Sequence, residues 1–238
     1  MKRLALDIDS IAYVRNLMRS KEPDPVSCSI MAELGGAESV VCYLRDDHGT
    51  VKERDVRLLK ELIKTHLTVR TNLNEENIRK LIAFKIDMIT FVAPGDLKTI
   101  EPVPLSLDTY ASQLQTYIAE LRSNNILSSV LIDPTIAEVK EAAKLEFDYI
   151  EFDATSLTKS QDMESEYEIL DNIAGLSLAA NKLGMGINIS GGIGYDNIKD
   201  VSTIDFIEDI VVGKPVFSKA MFIGVEQAVR DMQALLGI

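Results

Sequence analysis

The residues best suited to chemistry lie in two short glycine-containing stretches and a few charged positions near them. INISGGIGYDNI (187–198) runs from an apolar segment into a glycine turn and then into a helix start. Gly191, Gly192 and Gly194 let backbone N–H groups approach an anion, and a following helix adds partial positive charge. Ser190 stands at the entrance to this turn. VVGKP brings in Gly213 and Lys214. Ser-Gly-Gly is either half of a phosphate cradle or only a tight turn, and its place late in a repeating chain favours phosphate. Arg45, in CYLRDD, offers a planar guanidinium for a second phosphate or a carboxylate, with a salt bridge to Asp46 or Asp47 as the equal alternative. Asp9 and Glu151 can act as base, acid or hydroxyl acceptor. Each can equally be neutralised by Arg45, Arg70 or Lys214.

Positioning these groups requires a scaffold, and the hydrophobic pattern supplies one. Short β-rich runs at about 3–8, 39–43, 66–70, 87–92, 127–132, 148–152, 185–190 and 207–213 alternate with helical patterns. DPVSCSIMAELGG opens with Asp24 as a cap and Pro25 in the first turn, and ends at a glycine pair. KERDVRLLKELIKT (52–65) predicts a stripe of Val56, Leu59, Leu62 and Ile63. Asn74 caps NEENIRKLIAF. Further helices are expected at about 107–123, 135–145, 163–183 and 216–236, with a short one at 195–201. Eight βα repeats without a Gly/Pro/Ser-rich linker predict one α/β domain over residues 1–238, a (β/α)₈ barrel, with a doubly wound sheet as second choice. SIAYVRNLMRS adds a helix after the first strand, and APGDLKTIEPVPLS a longer loop after the fourth. In a barrel the chemistry gathers where strands end, which selects Asp7, Asp9, Tyr43, Arg45, Arg70, Asp133, Glu151, Asp153, Ser190–Gly192, Gly213 and Lys214.

Composition narrows the function classes. The 238 residues carry 25 Lys+Arg against 37 Asp+Glu, a formal charge of −12. Such a surface disfavours nucleic acid and anionic membranes. His48 and His66 are the only histidines, and Cys28 and Cys42 the only cysteines. These do not make a zinc framework, so no metal is expected. His48 is expected in a solvated loop and His66 at the non-catalytic end of its strand. The cysteines are expected as small buried hydrophobes in a reducing, cytoplasmic compartment. No stretch approaches the roughly 18 apolar residues of a membrane span. Arg45, Arg70 and Lys214 at strand ends are expected to concentrate positive potential at one mouth, suited to a small phosphorylated metabolite.

DIDSIAYVRN, EPDPV, YLRDDHGTVKERDVRLL, IDP, IEFDAT, INISGGIGYDNI and VGKPVFSKAMFIGVEQAV occur in the order and spacing of the pyridoxine 5′-phosphate synthase family, which the chain resembles over nearly its whole length. The resemblance implies a (β/α)₈ barrel with added helices, assembled from eight subunits. It implies condensation of 1-deoxy-D-xylulose 5-phosphate with 3-amino-2-oxopropyl phosphate in vitamin B6 biosynthesis, without metal or organic cofactor. By resemblance Asp9 and Arg45 hold the deoxyxylulose phosphate, Glu151 is an active-site glutamate, and Gly192 and Gly213 lie near the aminoketone phosphate. The family's remaining acid–base residues have changed type. Histidines are expected where Ser10, Tyr43, Thr50, Gly191 and Lys214 stand, a glutamate where Arg70 stands, an asparagine at Asp7, and a phosphate-binding arginine at Met18. Tyr43, Glu151 and Lys214 remain as candidate catalytic groups, and Asp7, Ser10, Thr50 and Arg70 as candidate ligand contacts. Each positioned acid or base contributes about 10²–10⁴ in rate. Loss of several therefore predicts loss of the parent reaction, leaving either a divergent phosphosugar enzyme or a non-catalytic ligand-binding or assembly subunit.

Overall fold

The computed structural model describes residues 2–96, 99–160 and 162–237. Its strands are β1 (Arg3–Asp7), β2 (Ser39–Tyr43), β3 (His66–Thr71), β4 (Met88–Phe91), β5 (Leu127–Ile132), β6 (Tyr149–Asp153), β7 (Gly186–Ser190) and β8 (Ile207–Val212). All pair in parallel in sequence order, and β8 returns to β1 with Leu4 opposite Ile210 and Leu6 opposite Val212. That pairing closes the (β/α)₈ barrel and eliminates a doubly wound sheet. The helices are α1 (Asp9–Leu17), α2 (Pro25–Leu34), α3 (Glu53–Leu62), α4 (Glu75–Phe84), α5 (Leu107–Ser123), α6 (Ile136–Lys144), α7 (Met163–Lys182), α8 (Ile198–Val201), α9 (Lys214–Ile223) and α10 (Val225–Leu236).

Local chemistry explains the helix starts. The Asp24 carboxylate accepts from the Ser27 N–H at 3.1 Å, with Pro25 at the first helical position. Asn74 accepts from the Asn77 N–H at 3.1 Å. Strand residues such as Leu67, Val69, Ile150 and Phe152 share one apolar cluster with Val56, Leu59, Ile78 and Val139 of the helices. Burial between sheet and helices is the main apolar contribution to stability. The barrel interior is different, with only small apolar groups, Ala5/Val41/Val211 and Tyr43/Val92/Leu131. Polar and charged side chains occupy much of the remainder.

Two expectations need correction. Leu62 is 51% exposed, because α3 ends there and only Val56, Leu59 and Ile63 turn inward. The helix expected over 216–236 is two, α9 and α10, broken at Gly224, whose φ of +85° no continuous helix allows. The loop after β4 folds back so that Ala93 pairs with Val103, and the Leu105 N–H donates to the Leu131 carbonyl at 2.8 Å. Its residues Leu97 and Lys98 lie outside those described. Among the described residues, no helix is long and apolar enough to cross a membrane.

The additional helix α1 begins at Asp9 and is tied to α3. Arg15 and Asp55 form a buried ion pair at 2.7 Å, and the Asn16 amide donates to the Thr50 carbonyl at 2.7 Å. Removing one partner of a buried pair leaves an uncompensated charge. Arg15→Ala is therefore expected to lower unfolding free energy by about 3 kcal/mol in urea denaturation.

Candidate active site at the strand C-termini

Arg70, at the end of β3, points into the barrel and is 1% exposed. Its Nη1 donates to Asp7 Oδ2 at 2.6 Å and its Nη2 to Glu151 Oε1 at 2.5 Å. One guanidinium thus bridges carboxylates from β1 and β6. Burial opposes its charge, but Glu151 and Asp7 outweigh that effect and hold its pKa above the ordinary value. Sequence left Arg70 as either a ligand contact or a partner for Glu151 or Asp153; its described hydrogen bonds are to Asp7 and Glu151.

Asp9 lies beside this bridge and is 2% exposed. Its Oδ1 accepts from the Tyr43 N–H at 2.9 Å, whereas Oδ2 has no hydrogen-bond partner. Burial, and then the charge of Asp7, push its pKa well above the usual carboxylate range; the Tyr43 N–H and Arg70 oppose this only in part. Asp153 is also shifted up by burial, against hydrogen bonds from Thr155.

These groups adjoin a cavity of about 570 Å³ whose wall includes Asp7, Asp9, Ser10, Arg70, Ser190, Gly191, Gly192, Gly213 and Lys214. The glycine turn follows β7. Gly191 has φ +83°, and a Cβ there would meet Thr155 Oγ1 at 2.5 Å and Asp153 Oδ1 at 2.6 Å. Asn197 ties the turn together, accepting from the Gly194 N–H and donating to the Gly192 carbonyl, both at 2.9 Å. No described hydrogen bond uses the N–H groups of Gly191, Gly192 or Ile193. Three successive backbone donors at a cavity wall form a concavity suited to anionic oxygens. Gly213 approaches from β8, where a Cβ would come within 3.0 Å of Asp7 Cβ.

Several expected residues do other work. Tyr43 is 3% exposed within the Tyr43/Val92/Leu131 group, and burial pushes its phenol up to about 12. It is not among the cavity-lining residues. Thr50 donates its hydroxyl to the Tyr43 carbonyl and so holds the β2–α3 loop rather than facing the cavity. Arg45 is engaged bidentately by Asp47, at 2.9 and 3.0 Å, and donates to the Thr99 and Asp96 carbonyls. Its salt-bridge alternative is the one observed. Glu151 is not among the lining residues and is paired with Arg70. Lys214 lines the cavity, but its ammonium pairs with Glu101. Asp133 is not among the lining residues, and Met18 is exposed.

The expected positive mouth is corrected as well. Among the described lining residues, Asp7, Asp9, Glu101, Asp153 and Asp196 outnumber Arg70, Lys159 and Lys214. Sequence reasoning missed Thr155, Thr158 and Lys159, which line the cavity from a 3₁₀ turn after β6. Their signal was available in TSLTK, directly behind the Glu151–Asp153 strand end. It also missed Glu101, because the long loop's return to the mouth has no local signature. His48 is exposed with φ +53°, and His66 begins β3, remote from the mouth. Among the described residues, no group of three His, Cys, Asp or Glu side chains is arranged to hold a metal ion.

A closed parallel barrel with a cavity at its C-terminal strand ends defines a (β/α)₈-barrel protein. Solved structures with this fold include KGPDC from Streptococcus mutans (TM-score 0.63, 13% identity, 100% of this chain and 98% of that one). Another is thiamine phosphate pyrophosphorylase from Pyrococcus furiosus (TM-score 0.65, 14% identity, 99% and 95%). At such identities the likeness concerns the fold alone. Within this class the chain belongs to the family of pyridoxal phosphate biosynthesis protein PdxJ, which its residues 4–237 match. It is 33% identical over 236 residues to pyridoxine 5′-phosphate synthase of Geotalea daltonii, covering 99% of each chain. It is also 33% identical over 240 residues to the synthase of Prochlorococcus marinus subsp. pastoris, covering 100% of each.

Removing the bridge should expose its energetic role. Arg70→Met leaves Asp7 and Glu151 without their cation and is expected to cost about 3–5 kcal/mol at neutral pH. Arg70→Met combined with Glu151→Leu should recover part of the loss, measured as non-additivity in urea denaturation.

Proposed function

We propose that the protein is a divergent phosphosugar-binding member of the vitamin B6 synthase family, whose cavity holds one phosphate ester at the Gly191–Ile193 turn. The carrying observation is the run of backbone N–H groups along a cavity of about 570 Å³, with Lys159 and Lys214 among its lining residues. Amide dipoles attract a phosphate without requiring a net positive mouth, which reconciles an anionic ligand with an acidic lining. The relatives' name supplies the reaction to test first, formation of pyridoxine 5′-phosphate.

Arg70 argues against the parent chemistry. A guanidinium remains protonated and cannot replace the glutamate that the resemblance places there. Tyr43, with its phenol at about 12, does not replace a histidine near neutral pH. Restoring a histidine at Gly191 would drive its Cβ into Thr155 and Asp153. The change is thus built into the local backbone and extends beyond one side chain. A second proposal, a ligand-binding subunit without turnover, is favoured by the engagement of Arg45, Arg70 and Lys214 with acidic partners. Self-association belongs to both, supported by exposed Leu17, Met18, Met31, Leu34, Met221 and Phe222 on or beside the adjoining helices α1, α2 and α9. Cytoplasmic location and freedom from metal and organic cofactors are part of the same proposal.

Inorganic phosphate or a sugar phosphate is expected to raise the melting temperature, and Gly192→Ala, which strains a φ of +65° and meets the Ala154 carbonyl at 2.6 Å, should remove that response. 1-Deoxy-D-xylulose 5-phosphate with 3-amino-2-oxopropyl phosphate should give no pyridoxine 5′-phosphate above the uncatalysed background. Efficient formation of that product would overturn the divergent assignment, and absence of any phosphate response would overturn the binding site.

A further inference from the structure

We propose that Asp7 and Asp9 form a hydrogen-bonded carboxyl–carboxylate pair that holds one proton between them and serves the cavity as its acid–base unit. Both residues line the cavity. The Asp9 N–H donates to Asp7 Oδ1 at 2.9 Å, which holds the Asp7 carboxylate against Asp9, and the Asp7 charge is among the causes that raise the Asp9 pKa. Asp9 is 2% exposed, and its Oδ2 receives no donor. A buried Asp9 carboxyl cannot ionise cheaply beside the half-buried Asp7 carboxylate, so one of the two retains a proton. Arg70 decides which one. Its guanidinium is bound directly to Asp7 and stabilises that residue's charge, leaving Asp9 as the proton carrier.

An independent feature connects the pair with a ligand. Arg70 Nε is buried without a hydrogen-bond partner, although Arg70 also lines the cavity. A carboxyl oxygen and a guanidinium N–H, both buried and both without a partner, therefore belong to residues of the same wall, a pairing suited to a ligand that presents carbonyl or hydroxyl oxygens. The charged and titratable groups facing Asp9 are Asp7 on β1, Cys42 and Tyr43 on β2, Arg45 beyond β2 and Arg70 on β3. The cations on this roster already have acidic partners, Arg45 with Asp47 and Arg70 with Asp7 and Glu151. In turnover the pair would give its proton to a ligand oxygen, leaving both carboxylates ionised, and recover one from a ligand C–H or O–H. The proton count over the cycle is unchanged. This role rests on the ligand-binding function proposed above; the shared proton itself does not.

The proton can be read without any ligand, by infrared difference spectroscopy of aspartate-labelled protein between about pH 4 and pH 9. A protonated-carboxyl band equivalent to one side chain is expected near pH 7, and Asp9→Asn should abolish it. Asp9→Asn preserves an acceptor for the Tyr43 N–H and can donate to Asp7. Its stability relative to wild type should rise as pH increases above about 4, because the wild-type folded state must retain a proton that the unfolded state releases. Asp7→Asn removes the neighbouring charge and should move the loss of the band at least one pH unit lower. Absence of the band in the wild type, its persistence in Asp9→Asn, or an unchanged midpoint in Asp7→Asn would each overturn the pair. A band present in a protein that shows no phosphate response would uphold the pair and refute the phosphate site alone.

Discussion

A guanidinium buried at the centre of a barrel requires counter-charges, and the site is organised around meeting that requirement. Desolvation of an isolated cation would be prohibitive, so Arg70 persists only because Asp7 and Glu151 approach it from two other strands. Those contacts have consequences on each side. Glu151 is held with its charge engaged, and Asp7 is held against Asp9. Gly213, at the end of β8, lies close against Asp7, where a Cβ would be only 3.0 Å from the Asp7 Cβ. The β1, β3, β6 and β8 ends are therefore linked by one charge and its packing.

The same pairing of charges shapes the mouth. Arg45 closes on Asp47 and on carbonyls of the loop after β4, while Lys214 reaches Glu101 of that loop. These cations gather the loop over the barrel without giving the cavity a positive lining. In the proposed function, anion recognition falls to backbone dipoles at the Gly191–Ile193 turn, whose attraction is local and compatible with a chain of net charge −12. The arrangement places the glycine turn and the Asp7 and Asp9 carboxyls on the wall of one cavity.

Against the pattern implied by the family resemblance, the substitutions form a physically consistent set. Replacing a glutamate by Arg70 introduces a cation into a buried place, and replacing an asparagine by Asp7 supplies an anion to receive it. Gly191 allows the backbone of the glycine turn to pass against Asp153 and Thr155 in a conformation that a side chain would obstruct. On the proposed reading, fold membership and catalytic apparatus separate, as happens where function resides in a few side chains carried by a tolerant scaffold.

Strand and helix periodicity, the Asp24 and Asn74 caps and the eightfold alternation were legible because they depend on neighbours a few residues apart. Glycine spacing located the turn after β7 for the same reason. Glu151 stood among several alternatives for Arg70 and Asp7 did not, since the two lie 81 and 63 residues away in sequence and meet it only after the barrel closes. Nor were Lys159 and Glu101 recognisable as cavity residues, or Leu62 as exposed. Residue order determined which elements form and which chemical groups stand at their ends. Tertiary structure decided which of those groups are paired, which are buried, and which face the cavity, because electrostatic partners in a closed barrel are chosen by distance across its interior.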